Sequence, residues 1–299
     1  MAIPLQVARR QPLRRPLSAP GPREWQRRAV DGVATALVTA AALLGSGVLL
    51  LILGYVVWQG APALNLAFFT ERPLPYGEVG GGVAPAILGT LLMLLVAALI
   101  SVPLGIGTAI YLAEFGRGHF ARLVRLVIDL LAGLPSIVVG VFVWALLVRH
   151  VVGQYSGLAG AVALAIIMVP IMTRTVEEIL RLVPSALREG ALALGVPRWR
   201  TILGVVLPTA RVGVITGVVL SLARAGGETA PLLLTALGNV FYNFDLLRPM
   251  GALPIDIYQY TKSPYDEWHT RAWGAALVLI VVIGGLNVLT RLATRRRIR

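Results

Sequence analysis

An all-α membrane protein with six transmembrane helices is the fold class that the sequence predicts. Of its 299 residues, 57% are hydrophobic, and the mean hydropathy of +0.79 is far above that of soluble domains. Several apolar stretches reach the length of about 20 residues that a helix needs to cross a bilayer. They are continuously apolar and lack the two-residue alternation of an outer-membrane barrel strand, so helices are favoured.

The first expected span covers residues 33–58 and follows a segment rich in Arg and Pro. Residues 1–28 have no apolar core of the kind that a cleavable signal peptide needs, so the first span should serve as an uncleaved signal anchor. With little apolar surface to bury, residues 1–28 are predicted to form a disordered basic tail, and residues 29–299 the membrane domain. The Arg residues of the tail either contact anionic lipid headgroups or only fix the topology.

The second and third spans are expected at residues 84–113 and 130–148. Pro103 should kink the second helix, because proline removes one backbone hydrogen bond and clashes with the preceding turn. Asp129 stands at the start of the third span, a position that favours the membrane interface. It could pair with Arg125, four residues earlier on the same helical face.

The last three spans are expected at residues 158–173, 212–236 and 272–290. The total of six is even, which puts both termini on one side. Cytoplasmic segments are enriched in Lys and Arg, so their distribution identifies that side. Of 27 such residues, 21 fall in the two tails and in the segments after the second and fourth spans. Both termini are therefore expected in the cytoplasm.

Several classes of function are excluded by residues that the sequence lacks. It has no cysteine and only three scattered histidines, so neither thiol chemistry nor a metal centre is expected. It has no G-x-x-x-x-G-K-[ST] motif, so it does not bind ATP through a P-loop. No Ser/His/Asp set or paired carboxylates suggest catalysis, and no cofactor is expected. The net charge of +13 follows the topology and does not indicate a nucleic-acid partner.

A short insert of small residues separates the fourth and fifth spans on the Arg-rich side, at about residues 174–211. It should form two short helices joined by a turn, with Pro197 and Pro208 bracketing the second. Small side chains permit close approach to a partner, and Arg188, Arg198 and Arg200 could pair with acidic residues of that partner. The pattern consists of Glu189, Gly190, Ala191, Gly195, Val205, Leu207 and Pro208.

Two charged residues, Arg224 and Glu228, fall inside the expected fifth span. Being four residues apart, they should share one helix face. A charge at membrane depth costs several kcal/mol unless it is paired or hydrated. Either the two neutralise each other and stabilise packing, or they form a polar constriction on a solute pathway. The planar fork of Arg would then favour an oxyanion, and Gly226, Gly227 and Pro231 would loosen the helix there.

Arg174 follows the expected fourth span at its cytoplasmic end. By its position alone it is an ordinary positive-inside anchor. Glu177 and Glu178 could be its local partners.

The insert resembles the EAA coupling loop of bacterial ABC importer permeases, with Gly190 in place of the middle Ala and Val205 in place of the Ile. Further matches extend the resemblance over residues 80–290, to the phosphate-specific permease subunits of these importers. The matching stretches are 81–90, 133–140, 188–195, 223–233 and 253–258. Of these, 223–233 and 253–258 point to phosphate.

This resemblance implies a type I, MetI-like helix bundle that forms half of a pathway for inorganic phosphate in the bacterial cytoplasmic membrane. It implies a homologous second permease subunit, ATPase subunits that dock on the coupling segments and hydrolyse ATP, and an extracytoplasmic phosphate-binding protein. The chain itself would then not be an enzyme. The resemblance also assigns phosphate passage to Arg224, Glu228, the adjoining Thr229 and Arg174.

Three alternatives differ in substrate or class. An ABC permease for molybdate, tungstate or sulfate would use the same coupling loop. A stand-alone secondary transporter or channel would leave that loop without a purpose, and internal repeats, which it predicts, are not evident. An intramembrane enzyme would need a catalytic set that the sequence does not contain.

Overall fold

The computed structural model describes residues 22–75, 78 and 80–295, and in that part of the chain the regular structure is helical. Two isolated β-bridges, Pro73 to Gly81 and Leu237 to Met250, are the exceptions there. The all-α prediction is confirmed. The helices are α1 (Pro22–Gly60), α2 (Leu66–Thr70), α3 (Ala84–Ile110), α4 (Gly118–Gly133), α5 (Ser136–Val143), α6 (Gly157–Leu182), α7 (Ser185–Ala193), α8 (Arg198–Thr201), α9 (Leu207–Gly226), α10 (Ala230–Thr235), α11 (Leu253–Thr261) and α12 (Asp266–Arg295). A 3-10 turn covers Ala61–Ala63, and π-helical segments cover Tyr111–Phe115, Trp144–Val152 and Ile202–Val206.

Five helical runs in the described residues are long and apolar enough to cross a membrane. They are Trp25–Ala63, Ala84–Phe115, Gly157–Leu182, Arg198–Gly226 and Asp266–Gly285. A bent pair of helical segments, Gly118–Gly133 and Ser136–Val152, makes a sixth span when it is counted as one. The axes of the two segments differ by 103°.

This bend corrects the expected third span, which is not one continuous helix over residues 130–148. The break falls at Leu134, which is extended with φ −70° and ψ 134°. A residue before proline avoids the α conformation, and Pro135 has no N–H to continue the helix. In contrast, α3 continues through Pro103 and α6 through Pro170.

The fifth span also differs from the expectation of one helix over residues 212–236. The helical run starts earlier, at Arg198, and α9 ends at Gly226. The chain becomes helical again at Ala230, and Pro231 stands in the first turn of α10, where proline is tolerated. Gly227, between the two helices, has the low helix propensity that favours an end there.

Pro208 was expected to end the short helix that Pro197 begins, and this is wrong for Pro208. Pro197 does precede α8, but the chain stays helical from Arg198 through Pro208 into α9. The π-helical segment Ile202–Val206 lies directly before Pro208. Its wider turn accommodates a residue that cannot make the usual backbone bond.

The first helix begins at Pro22, so residues 22–28, expected in the disordered tail, are helical. The remainder of that tail, residues 1–21, and the last four residues, 296–299, lie outside the described residues. The chain divides into two compact units, Met1–Tyr55 and Val56–Arg299.

The larger unit is built around α3, α6 and α9, whose buried side chains are mostly alanine and methionine. Its two ends are distinct. At one end, which we name the loop end (residues 61–83 and 237–265), Gly157 at the start of α6 donates to Arg248 O at 3.0 Å. At the other, the α7 end (residues 111–125 and 183–206), α3 and α6 finish beside α7.

Candidate substrate pathway and coupling site

The predicted ion pair between Arg224 and Glu228 is present, with Arg224 Nη1 2.8 Å from Glu228 Oε1. The two do not share a helix face as expected, because Arg224 is in the last turn of α9 and Glu228 lies just beyond its end. Their burial is unequal: the Glu228 side chain is 6% exposed and that of Arg224 62%. Glu228 Oε1 has no aligned hydrogen bond within the described chain. The buried carboxylate therefore holds a guanidinium whose other side is open.

A small cavity of about 70 Å³ adjoins this pair. Three irregular points of the helices meet there: the break between α4 and α5, Pro170 within α6, and the end of α9. The lining comprises Leu131, Ala132, Leu134, Ser136, Val139, Ile167, Pro170, Ile171, Arg224 and Glu228. Irregular backbone at membrane depth is tolerated where it is buried in protein or lines a cavity, so the three interruptions mark a polar position within an apolar bundle.

Close packing of α5 on α10 holds the break between α4 and α5 next to the interruption between α9 and α10. A Cβ on Gly140 would lie 2.7 Å from the Cα of Pro231. A side chain there would meet backbone, so only glycine permits this approach. The stretch 133–140 thus combines a break at Leu134 with a contact at Gly140.

Arg174 lines a second cavity of about 210 Å³, and most of the residues that line it are charged. It pairs with Asp129 of α4, and both side chains are about half exposed, at 48% and 51%. The expected pairing of Asp129 with Arg125 is wrong: Arg125 Nε contacts Glu177 Oε1 at 3.2 Å. Since α6 continues to Leu182, Arg174 lies within a helix rather than after one, and it reaches across to α4 instead of to the expected Glu177 or Glu178.

Three of the four predicted pathway residues therefore line two cavities, Arg224 and Glu228 the first and Arg174 the second. Residues of α4 and α6 line both of them, and Ile171 of the first is three positions from Arg174 of the second. Thr229 lines neither and is half-buried at the start of α10. The sequence placed Asp129 at the membrane interface and paired it with the wrong residue, because its actual partner, Arg174, is 45 residues away.

The coupling segment consists of α7, a turn and α8. Gly195 has φ +77° in that turn, a left-handed conformation that favours glycine, and Val196 N donates to Ala191 O at 3.2 Å. The glycine of the pattern is thus the residue that ends α7. The pattern residues Glu189, Gly190 and Pro208 are exposed, whereas Ala191 and Leu207 are half-buried. Glu189 has no ion pair or side-chain hydrogen bond with any described residue.

Arg188 connects this segment to the membrane helices. The sequence had suggested a partner protein for Arg188, whereas its contacts here lie within the chain. Its Nη2 donates to Glu114 Oε1 and to Leu180 O, both at 2.7 Å, and its Nη1 donates to Val183 O at 2.5 Å. Arg198 donates to the backbone oxygen of Glu114 and lies 4.7 Å from the centroid of the Phe115 ring. No local pattern pointed to Glu114, which is 74 residues from Arg188.

This chain is similar in sequence to known transport proteins. Residues 101–299 match the family described as "Binding-protein-dependent transport system inner membrane component". The phosphate transport system permease protein PstA of Yersinia pestis is 44% identical over 266 residues, 89% of this chain and 90% of that protein. The protein of the same name from Mycobacterium leprae is 40% identical over 279 residues, 91% and 92% of the two chains.

Solved structures share the fold at lower identity. An inward-facing MetNI methionine ABC transporter chain matches with a TM-score of 0.57 and 23% identity, covering 73% of this chain and 94% of that one. A bacterial ABC transporter involved in alginate import matches with a TM-score of 0.56 and 15% identity, covering 90% and 99%. These matches confirm the predicted MetI-like helix bundle.

Proposed function

The chain belongs to the family of binding-protein-dependent transport system inner membrane components, among the PstA phosphate permeases, and we propose that Arg224 and Glu228 form its phosphate-selective constriction. The chain is a permease subunit of an ATP-driven phosphate importer and not an enzyme, since the ATPase is a separate subunit. It is a multi-pass membrane protein.

The unequal burial of the Arg224–Glu228 pair is the observation that carries this proposal. Glu228 is buried in the protein, and Arg224 keeps most of its side chain accessible. A guanidinium can donate two parallel hydrogen bonds to a phosphate. Glu228 offsets its charge, so that the site attracts phosphate without holding it as an unpaired cation would. The hydroxyl of Thr229, which makes no capping bond, adjoins this position as a further donor.

Arg174 would be the next point of contact towards the α7 end. Its partner Asp129 is a tethered anion, and a passing phosphate would compete with it for the guanidinium. Both side chains are half exposed, so water screens their attraction and the exchange need not cost much.

The coupling segment would transmit the ATPase cycle. The exposed Glu189 and Gly190 and the half-buried Ala191 offer a surface of small residues around one carboxylate. Gly195 sets the turn after it, and Leu207 and Pro208 begin the membrane helix that carries Arg224. Movement of α7 would reach α3 through Arg188 and Glu114.

The orientation and the remaining partners complete the proposal. Both termini and the α7 end would face the cytoplasm, with the loop end on the extracytoplasmic side. An extracytoplasmic phosphate-binding protein would dock there, and a homologous second permease subunit would supply the other half of the pathway. The Arg residues of the N-terminal tail would fix this orientation, with contact to anionic lipid as the alternative.

Radiolabelled phosphate uptake tests the proposal in cells without their own high-affinity system. The cells would receive this chain with its cognate partners, or the same set with Glu189→Arg. We expect uptake with the native chain and its loss in the variant, while the protein stays in the membrane. Full uptake by the variant would contradict the coupling proposal and favour a stand-alone transporter. An assembled complex that imports molybdate, tungstate or sulfate but not phosphate would contradict the assigned substrate.

A further inference from the structure

A cavity of about 690 Å³ at the loop end is separate from the pathway residues described above. This volume lies in the range of about 300–1,000 Å³ that is typical of small-ligand pockets. Segment 70–75, loop 240–242, α11 and α12 contribute to it. Its charged and aromatic lining consists of Glu71, Arg72, Phe241, Tyr242, Asp256, Tyr260 and Trp268.

Asp256 is a buried carboxyl in the first turn of α11, facing this cavity and 8% exposed. It has neither an ion pair nor a side-chain hydrogen bond with any described residue. Burial raises its pKa from 3.8 to about 7. Burial in the wall of the cavity makes the ionised form of this carboxyl group costly, so an occupant that supplied a hydrogen-bond donor here would stabilise that form.

The other lining groups favour a cation as that occupant. The one cation of the lining, Arg72, has its guanidinium carbon 5.2 Å from the centroid of the Phe241 ring and makes no ion pair with a described residue. Tyr260 and Trp268 meet edge to face with ring centroids 4.8 Å apart. Aromatic walls beside carboxyl groups attract ammonium and guanidinium ions.

We propose that this cavity receives a lysine or arginine side chain of the extracytoplasmic binding protein, with Asp256 as its ion-pair partner. This inference rests on the proposed function, which puts the loop end on the extracytoplasmic side. The lining holds two carboxyl groups, Glu71 and Asp256, against one guanidinium, so the charge of the basic side chain complements it. The cavity is larger than one side chain, so the tip of a loop enters with the basic residue.

Docking should then depend on pH. The ionised carboxylate pairs with the basic side chain, so association tightens as pH rises through about 7. The other titratable or charged groups lining the cavity are Glu71 and Arg72 of segment 70–75, Tyr242 of the loop and Tyr260 of α11. The residue of α12 that lines the cavity is Trp268, which does not titrate.

The test measures the dissociation constant of the cognate phosphate-binding protein on the full transporter complex in lipid nanodiscs. With the native chain, we expect binding to be up to about tenfold tighter at pH 8 than at pH 6. Asp256→Asn should bind more weakly at pH 8 and lose the Asp256-dependent part of this change. The matched control is Asp266→Asn, the same chemical change at an exposed position outside the cavity, and it should behave like the native chain.

A double-mutant cycle identifies the occupant. Lys and Arg residues on the docking face of the binding protein are replaced singly by Gln and tested against both the native and the Asp256→Asn complexes. One replacement should weaken binding to the native complex and have little effect on the variant. This arm starts from the binding protein, so it does not depend on the Asp256→Asn variant alone. If no basic residue couples to Asp256, or if Asp256→Asn binds like the native chain at both pH values, the proposal is wrong.

Phosphate uptake by the native complex distinguishes failure of the cavity proposal from failure of the proposed function. If the native complex imports phosphate and Asp256 has no effect on docking, only the cavity proposal fails. If the native complex imports no phosphate, the function itself is contradicted.

Discussion

Arg188 Nη2 lies 2.7 Å from Glu114 Oε1, and this contact joins helix α7 to the π-helical segment Tyr111–Phe115, which continues the membrane helix α3. The Glu114 side chain is 7% exposed, so the pair is shielded from water on one side. The same guanidinium also binds backbone oxygens at the end of α6. One side chain therefore connects three helices at the surface where the ATPase is proposed to act.

Replacing Arg188 with Gln should uncouple transport from ATP hydrolysis. Glu114 would be left buried without its cation, which costs about 3 kcal/mol in comparable sites. We expect phosphate uptake to fall strongly while the complex retains ATPase activity, both measured in proteoliposomes. Arg181→Gln is the matched control, because the Arg181 side chain is half exposed and its partner Glu177 keeps a second cation, Arg125. Equal uptake by the Arg188 and Arg181 variants would contradict the role of Arg188.

Replacing Arg224 with Gln should lower phosphate uptake at least tenfold, because a hydrogen bond to a charged group is worth about 1.5–3 kcal/mol. That change also leaves Glu228 unpaired, so it mixes two roles. The exchanged pair, Arg224→Glu with Glu228→Arg, separates them. If Arg224 contacts phosphate, the exchanged pair stays inactive, although the complex assembles. Recovery of uptake would mean that the pair serves packing.

Replacing Asp129 with Asn should change phosphate uptake less than replacing Arg174 with Gln. The first change frees the guanidinium of Arg174 for phosphate, whereas the second removes the guanidinium. Both side chains are half exposed, so the free energy of unfolding should change by no more than about 1 kcal/mol in either variant. Initial rates of phosphate uptake at limiting phosphate measure both effects. A larger loss with Asp129→Asn than with Arg174→Gln would contradict the assignment of Arg174 as the phosphate contact.

Gly190 and Gly195 should respond in opposite ways to replacement by Ala. A Cβ at either position meets no atom within 4 Å, so only the backbone conformation differs. Gly190 is inside α7, where Ala is more stable by about 1 kcal/mol. Gly195 has φ +77°, where a Cβ costs about 1–2 kcal/mol. Thermal unfolding of the purified complex should show a small gain for Gly190→Ala and a loss for Gly195→Ala, each serving as the other's control.

Asp256 should make the protein less stable as the pH rises. Its pKa is raised from 3.8 to about 7 by burial, so between these values the folded state binds a proton that the unfolded state has released. The stabilising contribution is complete below about pH 4 and is lost as the pH passes 7, by about 4 kcal/mol at most. Unfolding temperatures at pH 5 and pH 8 should therefore differ less in Asp256→Asn than in the native chain. Identical differences in the two would show that Asp256 does not titrate in this range.

Local patterns in the sequence predicted much of this molecule. The pattern from Glu189 to Pro208 predicted a short helix and a turn, which α7 and Gly195 form, and the spacing of Arg224 and Glu228 predicted their ion pair. The helix break at Leu134 carried a local signal too, since a residue before proline avoids the helix. Yet Pro103 and Pro170 have the same signal and do not end their helices, so packing decides between the outcomes.

Contacts between distant parts of the chain could not be predicted. Asp129 had an Arg four residues away, and the spacing favoured that partner, but α6 brings Arg174 closer. Glu114 meets Arg188 only because α3 and α6 end at the same level. The burial of Asp256 depends on segment 70–75 and α12 closing over α11, which no local pattern records.

The bend after Gly133 has an electrostatic consequence for the cavity beside Arg224. It starts α5 at Ser136, which lines that cavity, and the first amide groups of a helix have no acceptor within it. Their aligned dipoles amount to about half a positive charge at the start of a helix. On the proposed pathway, an anion would therefore meet a fractional charge fixed in the backbone in addition to the guanidinium of Arg224. A fraction of a charge would draw a phosphate inward yet let it leave, which a pathway requires and a storage site does not.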